Sequence, residues 1–179
     1  MLPPGHIAAG YLVTEALLHF THPALSQHQQ NQLLVWGMFF AFSPDLDVFF
    51  AFSKVHAWWY KPGVDSSIHR QFYSHIPILW LIASLIIYCI APTEYVKYVA
   101  LLLWLCSWSH FLLDSIEYGV PWLWPFNKEV WALKDRGVKM HIKATSFFDY
   151  WKQMVTRYFT RWTFYAEIII LIVFVYVIR

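Results

Sequence analysis

The sequence Ser43-Pro44-Asp45-Leu46-Asp47 interrupts an apolar run that extends from residue 33 to residue 52. Its proline lacks a backbone N–H and disfavours helical geometry at the residue before it, so we expect a helix to end near Phe42. Two carboxylates in such a run cost a few kcal/mol each to bury at membrane depth. Residues of this kind normally face a cavity, a partner or an ion, so the two aspartates mark a candidate functional site.

The composition is that of an integral membrane protein. The 179 residues are 59% hydrophobic, 21% aromatic and only 13% charged, and the mean hydropathy is +0.43. Soluble domains average about 25% charged residues. We therefore predict a single all-α integral membrane domain over residues 1–179, built as a polytopic bundle of transmembrane helices.

Apolar runs predict the helices of this bundle at residues 6–20, 33–42, 76–91, 96–113 and 162–178. The polar, uncharged segment 21–31 is predicted to be a loop, and longer polar regions cover residues 53–74 and 115–161. A bilayer core of about 30 Å needs roughly 20 helical residues, and the first run is short by that measure. The sequence therefore predicts four to five spans.

Residues 146–161 are predicted to form a basic amphipathic helix. Apolar side chains recur there and just beyond at helical spacing, and basic side chains fill much of the remainder (Phe147, Trp151, Val155, Tyr158, Trp162; Lys152, Arg157, Arg161). Such a helix lies on the membrane surface, with basic residues facing anionic lipid headgroups. The alternative is that it packs on the neighbouring loops.

A five-span topology separates the positive charges strongly. Of the 13 lysines and arginines, 11 fall on the side that carries the N-terminus, and only Lys97 and Arg179 fall on the other. The positive-inside rule makes the first side cytoplasmic. We expect a protein of a bacterial or archaeal cytoplasmic (inner) membrane.

The same topology brings every candidate metal ligand to the cytoplasmic end of the bundle. His110 and Asp114 are four residues apart and so share one helix face, a suitable pair for one metal ion. The alternatives are that the aspartates near residue 45 cap a helix or pair with lysine, and that His110 and Asp114 form a structural pair. The full set of candidate ligands is His6, Asp45, Asp47, His69, His75, His110 and Asp114.

Imidazole and carboxylate ligands without thiolate favour zinc, and also suit manganese or iron. Seven candidates exceed the four ligands of one tetrahedral zinc, so one or two divalent ions are expected, with Asp45 or Asp47 as a possible bridge. A dinuclear site generates a nucleophilic hydroxide and stabilises both oxygens of a phosphoryl ester. Three residues are predicted to be catalytic: Asp47, Arg70 as a phosphate clamp, and Glu117 as a general acid or supporting group.

Five motifs occur in an order that resembles the YdjM-type family of membrane-bound metal-dependent hydrolases. They cover residues 5–126 and are Gly5-His6-Ile7-Ala8-Ala9-Gly10, Pro44-Asp45-Leu46-Asp47, His69-Arg70 with Ser74-His75, His110-Phe111-Leu112-Leu113-Asp114, and Gly119 to Phe126. The resemblance implies that the seven candidate ligands form the polar site of a hydrolase. The HxxxD pattern is also similar to that of zinc-dependent phospholipase C and P1-type nucleases, which implies a phosphoester substrate. The sequence departs from the family where His69 and His75 stand six residues apart and Gln71 replaces a glycine.

The predicted function is hydrolysis of a phosphoester by a metal-activated water, with a lipid-like substrate because the site opens at headgroup depth. One alternative is a cation transporter, whose ligands would lie near the membrane midplane. Another is a non-catalytic protein that binds metal with a complete ligand set. Nucleic acid is not expected as a partner, since no recognition motif occurs.

Overall fold

The computed structural model describes residues 1–47, 72–134 and 147–179. These residues form an all-helical structure in which the only pairing of extended backbone is one isolated bridge, between Val120 and Trp131. The helices are α1 (Pro3–Thr21), α2 (Gln27–Phe42), α3 (Pro77–Ile90), α4 (Glu94–Asp114), α5 (Phe147–Tyr158) and α6 (Trp162–Val177). Short 3₁₀ turns follow α2 (Ser43–Leu46) and precede α3 (Tyr73–His75).

The end of α2 confirms the prediction made from Pro44. The α-helix stops at Phe42, and the chain continues as the Ser43–Leu46 3₁₀ turn. The Ser43 hydroxyl donates to the Phe40 carbonyl over 3.0 Å, which satisfies one of the carbonyls left open at the helix end. Asp45 therefore projects from a turn rather than from the side of a helix.

The start of α2 corrects the predicted loop at residues 21–31. The helix begins at Gln27, six residues before the apolar run, because Ser26 and Gln29 form a capping box. The Ser26 hydroxyl accepts from the Gln29 amide, and the Gln29 side chain accepts from the Ser26 amide. Reciprocal bonds of this kind stabilise a helix start even where the first turn is polar.

Helices α1 and α4 are central to the bundle. Helix α1 packs on α2, α4 and α6, and α4 also packs on α2 and α3. The approach of α1 to α2 is close because Gly10 faces Gly37. A Cβ added to Gly37 would overlap the Thr14 hydroxyl, and one added to Gly10 would overlap the Gly37 carbonyl. Small residues at a helix crossing are typical of membrane bundles. The buried apolar cluster beside this crossing contains Leu18, Leu33, Phe40, Ala41, Tyr98, Leu102 and Cys106.

Two side-chain bonds fix α3 on α4. The buried Ser84 hydroxyl donates to the Ala100 carbonyl over 2.6 Å, and the Trp108 indole donates to the Pro77 carbonyl over 3.1 Å. The second bond joins the first residue of α3 to the C-terminal half of α4. It therefore holds the turn before α3 beside the end of α4.

Helix length bears on the predicted number of spans. Among the described residues, α4 alone, with 21 residues, is both long and apolar enough to cross a membrane. Helices α3 and α6 are apolar but have 14 and 16 residues. Their outer faces carry exposed large apolar side chains such as Ile86 and Ile172, which suits contact with lipid. The all-helical architecture is confirmed, and the four to five spans stay a prediction.

The predicted amphipathic helix at 146–161 is observed as α5, Phe147–Tyr158. Its last residue, Tyr158, is buried and donates a hydrogen bond to Glu167 of α6, so one end of α5 is fixed to the bundle. Phe148 and Val155 are exposed. Helix α5 therefore packs against the bundle at one end and also exposes apolar residues. Its contact with the membrane surface stays a prediction.

Candidate metal centre

Five of the predicted ligands meet at one end of the bundle. His6 lies in the first turn of α1, Asp45 in the turn after α2, and His75 in the turn before α3. His110 and Asp114 lie in the last turns of α4. Antiparallel neighbours bring these four chain segments to the same end, so these five residues lie together, as the sequence predicted for them.

Four of these residues form a compact set that could hold a metal ion. One donor atom from each of Asp45, His75, His110 and Asp114 lies within 4.8 Å of the others. The Oδ1 atom of Asp45 is 3.6 Å from the Nε2 atoms of both His75 and His110. Ligands bound to zinc at roughly 2.0–2.2 Å stand only slightly closer to one another than this. The donor set of two imidazoles and two carboxylates therefore fits a divalent cation.

The orientation of His110 is set by the backbone of α2. Its Nδ1 atom lies 2.9 Å from the Ala41 carbonyl oxygen, which can only accept, so Nδ1 carries the proton. The Nε2 atom then presents a lone pair, 3.6 Å from Asp45 Oδ1 and 3.9 Å from Asp114 Oδ2. It is buried and has no hydrogen-bond partner among the described residues. A lone pair that faces carboxylates is unfavourable unless a proton or a cation lies between them.

Asp47, predicted as a ligand and catalytic group, instead supports His75. Its Oδ2 atom is 2.8 Å from His75 Nδ1 and also accepts from the Ser74 hydroxyl. The Ser74 carbonyl in turn accepts from the Trp80 indole over 2.7 Å, which anchors this turn to α3. A carboxylate behind a histidine fixes the ring and directs its second nitrogen toward the metal position.

His6 lies beside the compact set and is fully buried. Its ring stacks on His110 with centroids 3.9 Å apart, and its Nε2 atom is 3.5 Å from Asp114 Oδ1 and 4.0 Å from Asp45 Oδ2. Neither ring nitrogen has a hydrogen-bond partner within the described parts of the chain. Leaving a buried polar group unsatisfied costs about 1–3 kcal/mol. The cost is avoided if His6 binds a ligand.

The amino group of Met1 is a member of the site that sequence reasoning missed. It is buried and lies 2.8 Å from Asp114 Oδ1. No motif could indicate this contact, because it depends on where α1 begins relative to the end of α4. It gives Asp114 a positive partner in the structure.

The protonation of the two turn residues follows from their neighbours. Burial by itself raises the pKa of Asp45, but the close approach of His75 and the charges of His110 and His6 outweigh it and hold that pKa well below its usual range. Burial lowers the pKa of His75, but the neighbouring carboxylates of Asp45 and Asp47 raise it overall. Asp45 is therefore ionised at neutral pH, as a metal ligand must be.

Glu117, predicted as a catalytic residue, does not join the cluster. The Glu117 carboxylate is buried and accepts from the amides of Trp162 and Thr163 and from the Thr163 hydroxyl, so it caps the N-terminus of α6. His69 and Arg70 lie outside the described residues. The roles predicted for these two therefore stay predictions.

Access to the cluster is on the side of Asp45. The side chains of His6, His110 and Asp114 are at most 1% exposed, whereas that of Asp45 is 15% exposed. Among the described members of the cluster, Asp45 is therefore the one that solvent reaches most readily.

Comparison with known proteins gives one match. The chain matches the family described as YdjM inner membrane protein over residues 1–179. No curated protein and no solved structure matches it.

Proposed function

Since the chain belongs to the YdjM family of inner membrane proteins, we propose that it is a membrane-bound, metal-dependent hydrolase of a phosphoester with a lipid-like substrate. The observation that carries the proposal is the convergence of three buried histidines on two aspartates at one end of a helical bundle. Within it, His6 and His110 present nitrogens with no partner among the described residues.

A divalent ion at this centre, zinc, manganese or iron, would supply Lewis acidity and a water of lowered pKa. The protein's own residues would hold the ion and orient its ligands. His75, His110, Asp45 and Asp114 would bind the ion, Asp47 would orient His75, and the Ala41 carbonyl would orient His110. The exposed edge at Asp45 would admit the substrate phosphate.

A lipid-like substrate is supported by the surroundings of the site. The His75 ring contacts Phe111, and Phe111 contacts Trp122, which lies in the segment that follows α4. That segment carries Leu123 and Phe126, which are 65% and 97% exposed. Exposed apolar residues beside a polar site suit a substrate with an acyl chain and a charged headgroup.

The placement of charge supports a cytoplasmic site. Among the described residues, Lys128 and Lys134 follow the end of α4 that carries the cluster, and Arg161 directly precedes α6, where Lys134 lies over the Trp162 ring. Lys97 lies in the first turn of α4 and Arg179 follows α6, so both lie toward the other end. Under the positive-inside rule the cluster would face the cytoplasm.

Two other functions account for the same residues less well. A cation transporter would hold its ligands near the midplane on broken helices, whereas these ligands lie at helix ends. A purely structural metal site would have a complete ligand set without an open position, whereas Asp45 leaves one edge accessible.

The first test is the metal content of the detergent-purified protein by elemental analysis, with His110→Ala and Asp45→Ala beside the wild type. We expect zinc or manganese in the wild type and its loss in both variants. His19→Ala is the matched control, since His19 lies in the last turn of α1, at the opposite end of that helix from His6. Wild-type protein that stays metal-free after incubation with zinc and manganese would contradict the proposal.

The second test is hydrolysis of phospholipid vesicles and of soluble phosphate esters by the metal-loaded protein. We expect release of a phosphorylated headgroup or of phosphate that stops on chelation and on His110→Ala substitution. A metal-loaded, folded protein with no turnover of either substrate group would favour the structural-site alternative.

A further inference from the structure

We propose that the cluster holds two cations rather than one, and that the second binds between His6 Nε2, Asp45 Oδ2 and Asp114 Oδ1. This inference rests on the proposed metal binding and specifies it. It assigns His6 to the second ion and makes both aspartates the bridges between the two positions.

The two aspartates divide their carboxylate oxygens between the compact set and His6. Asp45 faces His75 and His110 with Oδ1 and faces His6 with Oδ2. Asp114 faces His110 with Oδ2 and His6 with Oδ1. Each aspartate thus offers one oxygen to the compact set and the other to His6. This division is what two carboxylates that bridge a pair of ions require.

The His6 ring stacks on the His110 ring. The rings are inclined by 25° and their centroids are 3.9 Å apart. In two-metal sites the ions stand about 3.5–4 Å apart. Two near-parallel imidazoles at this spacing suit one ion each. A single tetrahedral ion bound by the four donors of the compact set would leave His6 without a ligand.

The Oδ1 atom of Asp114 has a positively charged neighbour. This oxygen, which faces His6, is also 2.8 Å from the amino group of Met1. The position therefore already attracts a positive group in the structure. His6 Nε2, fully buried and without a hydrogen-bond partner among the described residues, faces the same oxygen. A divalent ion would satisfy both, with the Met1 amino group as its competitor.

The experiment is a count of bound Mn²⁺ together with its electron paramagnetic resonance spectrum, for the wild type, His6→Ala and His19→Ala in detergent. We expect two equivalents with the spectrum of a spin-coupled pair in the wild type and in His19→Ala. We expect one equivalent and an uncoupled spectrum in His6→Ala. His6→Gln, with size-exclusion and thermal unfolding profiles, replaces His6→Ala if the alanine variant does not fold.

The outcomes separate this inference from the proposed function. One equivalent in the wild type, unchanged by either His6 substitution, overturns the second position and leaves a one-metal hydrolase intact. Two coupled equivalents without hydrolysis support the second position and count against the hydrolase. Absence of bound Mn²⁺ and Zn²⁺ in the wild type overturns both.

Discussion

The Nδ1 atom of His110 donates a hydrogen bond to the carbonyl oxygen of Ala41, 2.9 Å away on α2. Ala41 is the last residue but one of α2, and the Ser43–Leu46 turn that follows the helix carries Asp45. The Ala41 carbonyl thus sets the tautomer of His110, and the turn that follows supplies Asp45 as the carboxylate partner of this histidine. The end of α2 caused by Pro44 therefore shapes the ligand geometry as well as the path of the chain.

We expect removal of metal to destabilise the protein. A ligand at 100 times its Kd stabilises the native state by about 2.7 kcal/mol, and without it three histidines and two aspartates share one buried site. Adding a chelator should lower the thermal unfolding midpoint in detergent by several degrees, and excess zinc should restore it. The His110→Ala variant is the control, and its midpoint should not respond to either addition. An equal response in both proteins would contradict binding at this centre.

The Asp47→Ala substitution should weaken metal affinity without removing a binding position. Asp47 contacts His75 Nδ1 and the Ser74 hydroxyl rather than the compact donor set. Loss of such a supporting carboxylate typically costs about 10–100-fold in metal affinity. Competition against a chelator of known affinity measures the change, and Asp47→Asn should lose less because its amide oxygen still accepts from Nδ1. Loss of a full equivalent of metal would instead make Asp47 a ligand.

The Glu117→Ala substitution should reduce stability and leave the metal content unchanged. The carboxylate accepts three hydrogen bonds from the first turn of α6, and leaving buried donors unsatisfied costs about 1–3 kcal/mol. Thermal unfolding measures the loss, and Glu117→Gln should recover part of it. A folded Glu117→Gln protein with full metal content and no turnover would restore the catalytic role predicted from the sequence.

Exchange of a glycine at the α1–α2 crossing should destabilise the bundle. An alanine at position 37 would overlap the Thr14 hydroxyl, and overpacking of this kind costs about 1–3 kcal/mol. The measurement is the unfolding midpoint of Gly37→Ala in detergent. Ile172→Ala, on the exposed face of α6, is the control and should change little. An unchanged midpoint for Gly37→Ala would mean that the helices can separate without cost.

Local sequence signals predicted those parts of the site that depend on one helix or one turn. Pro44 indicated where α2 ends, and the spacing of His110 and Asp114 indicated a shared helix face. Both were correct because proline chemistry and helical periodicity act within a few residues. The prediction that the ligands lie at the same end of the bundle followed from counting antiparallel segments, which needs no side-chain detail.

Contacts between distant segments could not be predicted in the same way. Glu117 follows Asp114 by three residues and was assigned a catalytic role, but the position of α6 turns it into a helix cap. Asp47 was assigned as a ligand, but the turn before α3 places Ser74 and His75 on it. In both cases the role of the carboxylate depends on which distant segment packs beside it, and the composition of the chain carries no information about that packing.

The Tyr158→Phe substitution should loosen α5 while leaving the rest of the bundle intact. Tyr158 is 3% exposed and donates a hydrogen bond to Glu167. Burial and, after it, the bond to Glu167 raise the pKa of the Tyr158 phenol above its usual range. The phenol therefore keeps its proton and remains a donor. Glu167 also accepts from the Gly5 amide over 3.1 Å, one residue before His6. Hydrogen exchange should become faster across residues 147–158, with α4 unchanged. Glu167→Gln should have the wider effect and also speed exchange at the start of α1, because it weakens both links. Equal protection of α5 in Tyr158→Phe and wild type would show that other contacts hold this helix.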